Sequence, residues 1–150
     1  MMRHSYRAAS LLLVGVIGLA GFVGCAETQM ASKPSLYQRL GGKDAITAVV
    51  DTFVAKVAAD NRINKFFAST DIPKLKMHLV NQVCEATGGP CKYTGRTMKA
   101  THTGMGLTNA DFDALVQDLA GALDAHRVAK AEKDELLAAL GPMRSDIVER

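Results

Sequence analysis

The chain has no tryptophan, and aromatic residues make up only 5% of it. Ala and Leu are plentiful instead. Few aromatic strand formers beside many helix formers favour helices over strands. Charge of one sign is scarce as well. In 150 residues, 18 Lys and Arg stand against 15 Asp and Glu, for a formal net charge of +3. That excess is too small for a nucleic-acid partner or a basic membrane-binding face. There is no internal repeat, no low-complexity tract and, from Leu36 onward, no convincing period-2 alternation. No flavin or nicotinamide fingerprint is present. What is present is 48% hydrophobic residues, which excludes a disordered chain. The length suits one domain, or one domain and an export segment.

Long apolar runs are absent but for Leu11 to Val23. At about a dozen residues it falls short of the ~20 that span a bilayer. Gly15, Gly18 and Gly21 weaken it further as a helix. Arg3 and Arg7 precede it, and no acidic residue does. This is the layout of a bacterial export signal. The run ends Phe22-Val23-Gly24-Cys25, which resembles a lipobox, although Leu is usual where Phe22 stands. The expected organisation is a signal peptide over 1–24, a lipidated Cys25 and a small, polar tether over 25–35 containing Pro34. The protein is then a periplasm-facing lipoprotein of the bacterial envelope, held to a membrane by its lipid. The alternatives are an uncleaved anchor or a plain secretory signal. With Arg3 and Arg7 in the signal, the remainder is nearly neutral.

From Leu36 onward the apolar residues recur with the helical period. Ile46, Val49, Val50, Phe53 and Val57 share one face of a helix predicted over about Asp44–Ala59. Gly41-Gly42 separates it from a short helix at Leu36–Leu40. Asn61 to Phe67 reads as a further short helix bringing Phe66 and Phe67 to the core. Asp71 caps the next helix, with Pro73 in its first turn and Leu75, Leu79, Val83 and Ala86 on one stripe. Gly88-Gly89-Pro90 ends it. Residues 88–108 are loop-rich, with one possible turn of helix at Thr97–Thr101. Thr108 or Asn109 then caps a long helix with Phe112, Leu115, Val116, Leu119 and Leu123 inward. The last helix carries Leu136, Leu137, Leu140, Met143 and Ile147, and Gly141-Pro142 interrupts it.

Of the four histidines, His4 lies in the signal and His126 at a helix C-terminus, where it suits the dipole. His102 follows the one-turn helix and precedes the flexible Thr103-Gly104-Met105-Gly106. A lone loop histidine is most often solvent-exposed and silent, yet an imidazole fixed by a short turn can ligate a metal or haem iron. His78 lies about 60° from Leu75 and Leu79 about 40° to the other side, at roughly 100° per residue. It therefore flanks the buried stripe, either as a surface-edge residue or as one that can swing over a pocket.

Four segments together carry a resemblance. They are Leu36-Tyr37-Gln38-Arg39-Leu40-Gly41-Gly42; Asp60-Asn61-Arg62-Ile63-Asn64-Lys65-Phe66-Phe67-Ala68; Lys92-Tyr93-Thr94-Gly95-Arg96-Thr97-Met98, with His102 beyond; and Phe112-Asp113-Ala114-Leu115. In order and spacing they resemble the group I truncated haemoglobins across about 36–147. The resemblance implies an all-α fold over 36–150, a two-on-two helical sandwich around one haem b. It makes His102 the proximal iron ligand and Phe67 the residue packed on the haem plane, and it matches Gly41-Gly42 and Gly88-Gly89 to the family's glycine corners. Phe53, Leu75, Leu79, Tyr93 and Met98 are further expected cofactor contacts. Arg96 is expected to line or buttress the same side, and Lys74 to reach a propionate. No Cys-x-x-Cys-His occurs, so the haem is expected to be non-covalent.

The expected distal pocket departs from the family. Many members carry Tyr where Val54 stands and Gln where Leu75 stands. Val54, Leu75 and Leu79 donate no hydrogen bond, which leaves His78 as the candidate donor or distal iron ligand. Cys84 and Cys91 flank the chain reversal through Gly88-Gly89-Pro90. In an exported protein the default is a disulfide, against two free thiols. The implied function is binding of oxygen, nitric oxide or carbon monoxide, for oxygen binding and transport or for nitric oxide detoxification as a dioxygenase, with a separate, unidentified electron donor. The alternative from another class is an envelope copper-binding protein using Met98, His102 and Met105, with Met77-His78 beside them, since thioether and imidazole suit Cu(I).

Overall fold

Ser35 opens the first helix through a capping box: its hydroxyl accepts the Gln38 N–H at 3.3 Å, and the Gln38 carboxamide accepts the Ser35 N–H at 3.0 Å. The computed structural model describes residues 33–149. The expected signal peptide, Cys25 and most of the tether lie outside the described residues. Seven α-helices are described: α1 (Leu36–Arg39), α2 (Gly42–Ala59), α3 (Ile72–Ala86), α4 (Met98–His102), α5 (Asn109–Ala125), α6 (Lys130–Leu140) and α7 (Arg144–Ile147). Short 3₁₀ turns occupy Asn64–Phe67 and Gly141–Met143. There is no strand among the described residues, as the scarcity of aromatic strand formers predicts. None of these helices is long and apolar enough to cross a membrane.

Helix starts follow the polar caps. Asp71 accepts the Lys74 N–H at 3.1 Å, with Pro73 in the first turn of α3. Thr97 caps α4, and Thr108 with Asp111 forms a second capping box at α5. Gly141-Pro142 divides the last helix into α6 and α7, as expected.

Two glycines are required. Gly41 has φ +94°, a left-handed conformation that lets α2 leave α1 at once. A Cβ on Gly89 would lie 2.5 Å from the Tyr37 ring and 2.7 Å from Cys84 Sγ, so only glycine lets the chain after α3 pass so close.

The packing places α2 at the centre, with α3 and α5 against it, while α6 meets α1 and α5. Ile46, Val49, Val50, Phe53 and Val57 are buried as the helical period predicts. They meet Val80, Val83 and Cys84 of α3, Ala122 and Leu123 of α5, and Leu136 of α6. Leu107, Phe112 and Ile147 form a second, smaller cluster. The stripe on α3 differs from expectation. Ala86 is exposed, and Leu75 and Leu79 are half-buried. The fully buried face is Val80, Val83 and Cys84, because α3 turns one face to α2 and an adjacent face to a cavity. Arg39 pairs with Glu132 at 3.3 Å and with Glu135, tying α1 to α6. Partly exposed pairs of this kind contribute about 0–1 kcal/mol each, so burial dominates the stability.

Leu123 is 1% exposed in that core. Leu123→Ala is expected to lower the unfolding free energy by about 2–5 kcal/mol, read as a lower urea midpoint at unchanged slope.

Candidate functional site

The adjacent face of α3 borders a cavity of about 230 Å³. Phe53, Val54, Phe67, Leu75, His78, Leu79, Tyr93, Met98 and His102 all line it, together with Leu115, Val116 and Leu119 of α5. Residues that the sequence scatters over half its length thus share one wall system. A second cavity of about 250 Å³ shares Phe67, Leu75, His102, Phe112 and Ile147 with the first and adds Met105. Apolar side chains dominate both. Side chains able to meet across a space of this size would normally fill it. Leaving about 230 Å³ unpacked among apolar side chains forgoes close packing that a small domain depends on. The space is shaped for an apolar guest.

His102 is the last residue of α4, and five residues suffice to aim it. Thr97 caps the turn by accepting the Ala100 N–H at 3.1 Å. Inside it, His102 Nδ1 lies 2.7 Å from the Met98 carbonyl oxygen. A carbonyl only accepts, so Nδ1 carries the proton. Nε2 is left with its lone pair, the form in which imidazole ligates a metal. The loop beyond is tied down too. The Glu149 carboxylate accepts the Gly106 N–H at 2.8 Å and the Gly104 N–H, and Glu149 N–H donates to the Leu107 carbonyl at 2.9 Å.

His78 is half-buried in the same wall system, and its Nδ1 is buried with no hydrogen-bond partner. Its ring meets Tyr93 edge-on, with centroids 5.8 Å apart and planes at 66°. The Tyr93 hydroxyl donates to the Arg96 carbonyl at 2.7 Å, and burial pushes the phenol up from its ordinary range. Gln82 also lines the cavity. Its Nε2 lies 3.3 Å from both Met98 Sδ and Met143 Sδ.

Three of the expected residues take these places. Lys74 is exposed and absent from the walls, because it sits one residue, about 100°, away from the Leu75 stripe. Arg96 is likewise absent from the walls and donates to the Ala100 carbonyl, bracing α4 from outside. Tyr93 lines the cavity but packs its ring on His78 of α3, and so serves the wall carrying His78 as well as the loop leading to His102. His126 keeps its bland reading as the exposed C-cap of α5, with Nε2 2.7 Å from Thr52 Oγ1.

Gln82 and Glu149 escaped sequence reasoning. Gln82 was detectable, because it continues the helical stripe of Leu75 and Leu79. Nothing in the sequence links Glu149 to residues more than forty positions earlier.

Cys84 and Cys91 are bonded, with an S–S distance of 2.02 Å and Cα atoms 5.7 Å apart. The metal donor set is sparse. No group of three or more His, Cys, Asp or Glu able to hold a metal ion occurs among the described residues. Met98 Sδ accepts from Gln82, so one thioether of the expected copper trio already has a partner. A single imidazole beside apolar walls does not make a cage for a bare ion. It fits iron whose other ligands come from a flat macrocycle.

The family model described as "Bacterial-like globin" matches residues 35–149. A group 1 truncated haemoglobin from Mycolicibacterium paratuberculosis is 37% identical over 122 residues, covering 81% of this chain and 90% of that protein. The truncated haemoglobin of Tetrahymena pyriformis in its Fe(III) form superposes with a TM-score of 0.75 at 33% identity, covering 78% of this chain and all of that one. The 2/2 haemoglobin of Synechococcus sp. PCC 7002, in the cyanomet state with covalently attached haem, gives a TM-score of 0.74 at 36% identity, again over 78% of this chain and all of that one. The chain has the same two-on-two helical fold.

The Glu85 carboxyl is held below the usual carboxylate range, first by accepting the Tyr93 N–H and then by Lys92. A depressed carboxylate stabilises the fold above its unfolded pKa, and the effect is lost as pH falls through the folded value. Glu85→Ala should therefore lower Tm at neutral pH, and the gap from the parent should close as pH is taken below the carboxylate range.

Proposed function

We propose, from the premise that this chain belongs to the bacterial-like globin family as a group 1 truncated haemoglobin, that it binds a diatomic gas at haem b in the bacterial envelope. The observation that carries the reading is the His102 ring, which lines an apolar cavity and has Nδ1 bonded to the Met98 carbonyl, leaving Nε2 as the nitrogen with the lone pair. His102 would hold the single iron. Phe53, Phe67, Leu75, Leu79 and Met98 supply the apolar contacts that keep water from the ring. Haem, when bound, would supply an iron that takes a diatomic gas reversibly.

The residues of this chain then set how such a gas is held. Val54, Leu75 and Leu79 donate no hydrogen bond. Gln82 directs its amide at two thioethers, and the Tyr93 hydroxyl is bonded to Arg96. His78 is left as the one wall imidazole besides His102. A net hydrogen bond is worth about 0.5–1.5 kcal/mol, or roughly 2–10-fold in affinity, so a wall with one donor favours exchange over tight oxygen storage. His78 either donates to the gas or ligates the iron when no gas is bound.

Oxygen, nitric oxide and carbon monoxide are the proposed ligands. Oxygen transport and nitric oxide dioxygenation are the proposed uses, and the latter requires a separate electron donor. The N-terminal segment supports export and lipidation at Cys25. The oxidising compartment this implies supports a persistent Cys84–Cys91 disulfide.

Protein reconstituted with haemin should show a Soret band, and His102→Ala should lose it while keeping the helical circular dichroism. A parent protein without a Soret band would overturn the reading. A low-spin ferric spectrum that survives His78→Leu would remove His78 as an iron ligand. Cys25→Ser should move the protein from the membrane to the soluble fraction of the envelope.

A further inference from the structure

His78 has an unusual problem for a polar side chain. Among the described residues, its Nδ1 is one of two buried side-chain polar atoms with no hydrogen-bond partner, the other being Asp118 Oδ2. Of its neighbours on the cavity stripe, Leu75 and Leu79 offer no acceptor, and Gln82, one turn on, directs its amide at Met98 and Met143 and makes no bond to His78 Nδ1. An imidazole with no such bond would turn about its side-chain torsions, and its donor would sweep the cavity rather than point at one place. The aromatic contact that opposes this is the edge of Tyr93.

Tyr93 is itself secured to the helix that bears His78. Three consecutive residues are tied to the last turn of α3. Cys91 is bonded to Cys84, and its N–H lies 3.3 Å from Cys84 Sγ. Lys92 Nζ lies 3.2 Å from Glu85 Oε1. Tyr93 N–H donates to Glu85 Oε2 at 3.0 Å. At the far end of the ring, the hydroxyl donates to the Arg96 carbonyl. A Cβ on Gly95 would lie 2.4 Å from that hydroxyl oxygen, so the phenol lies directly over the glycine. The ring is thus fixed at its backbone and at its tip.

We infer that Tyr93 is the positioning residue for His78, and that the Cys84–Cys91 bridge and Glu85 hold Tyr93 in that role. The chain folds back on α3 and registers the two rings against each other from a single helix. The aromatic ring of Tyr93, rather than its hydroxyl, acts on His78, since the hydroxyl is committed to Arg96. The inference rests on the reading above that His78 is the polar group beside the bound gas.

The test uses the infrared stretch of carbon monoxide added to the reduced, haem-loaded protein, a probe sensitive to the polar group beside it. A positioned His78 gives one narrow band in the parent protein. Tyr93→Phe keeps the ring and its backbone tie to Glu85 and loses only the bond at the tip, so it should keep the position of that band with at most slight broadening. Tyr93→Leu should split or broaden it, with the folded state checked by circular dichroism. Glu85→Ala, which loosens the clamp without touching the cavity, should broaden it in the same direction and keeps the test open if Tyr93→Leu does not fold. His78→Leu should move the band to a single apolar-pocket position. A shift with His78→Leu but a parent-like band in both Tyr93→Leu and Glu85→Ala would overturn the positioning role and leave the function intact. An unmoved band with His78→Leu would overturn the distal role of His78, and the positioning role with it.

Discussion

The structure is organised around a space it does not fill. In a chain this small, each helix would ordinarily close on its neighbours, since close packing is what offsets the entropy of folding. Here Val50, Phe53 and Val57 of α2, Leu75 and Leu79 of α3, and Leu115, Val116 and Leu119 of α5 instead share a common cavity. The core is consequently divided. A main cluster joins α2, α3, α5 and α6, and a smaller one gathers Leu107, Phe112 and Ile147. Residues of both clusters line the cavity, so a guest that fills it joins them into one core. Binding haem and completing the fold are then coupled, because whatever binds the folded state stabilises it.

That requirement explains why the segment bearing His102 is so short and so heavily bonded. Five residues of α4 have too few internal hydrogen bonds to be stable alone. Thr97 closes the start of the turn, Arg96 donates to the Ala100 carbonyl, and Glu149 gathers the loop beyond His102. Two of these come from the residues just before α4 and the third from the far end of the chain. Their joint effect is to fix one imidazole with Nε2 bare. The opposite requirement holds on α3, where Leu75 and Leu79 contribute bulk without hydrogen bonds and the one imidazole is steadied by an aromatic edge.

Much of the site was legible before any coordinates, for identifiable reasons. His102, Phe67 and Met98 are carried by local motifs at defined spacing, and all three line the cavity. Leu75, His78 and Leu79 lie on one helix, where the 3.6-residue period relates them directly. Lys74 is a polar residue that motif position alone singles out: helical phase turns it to solvent, where a long cationic side chain suits a propionate. Gln82 shows the reverse case, a polar residue passed over because its partners are thioethers on α4 and in the turn before α7.

By itself, the sequence determined the helical class, the helix starts, the chain reversal between Cys84 and Cys91 and the choice of His102 as the proposed iron ligand. These rest on short-range physics: caps, glycine conformations and a period that repeats along the chain. Only the tertiary structure decided which nitrogen of His102 is free, which face of α3 packs and which lines the cavity, and that Tyr93 lies against His78. Those depend on where residues distant in the chain meet, and on the hydrogen-bond partners that such meetings supply or withhold.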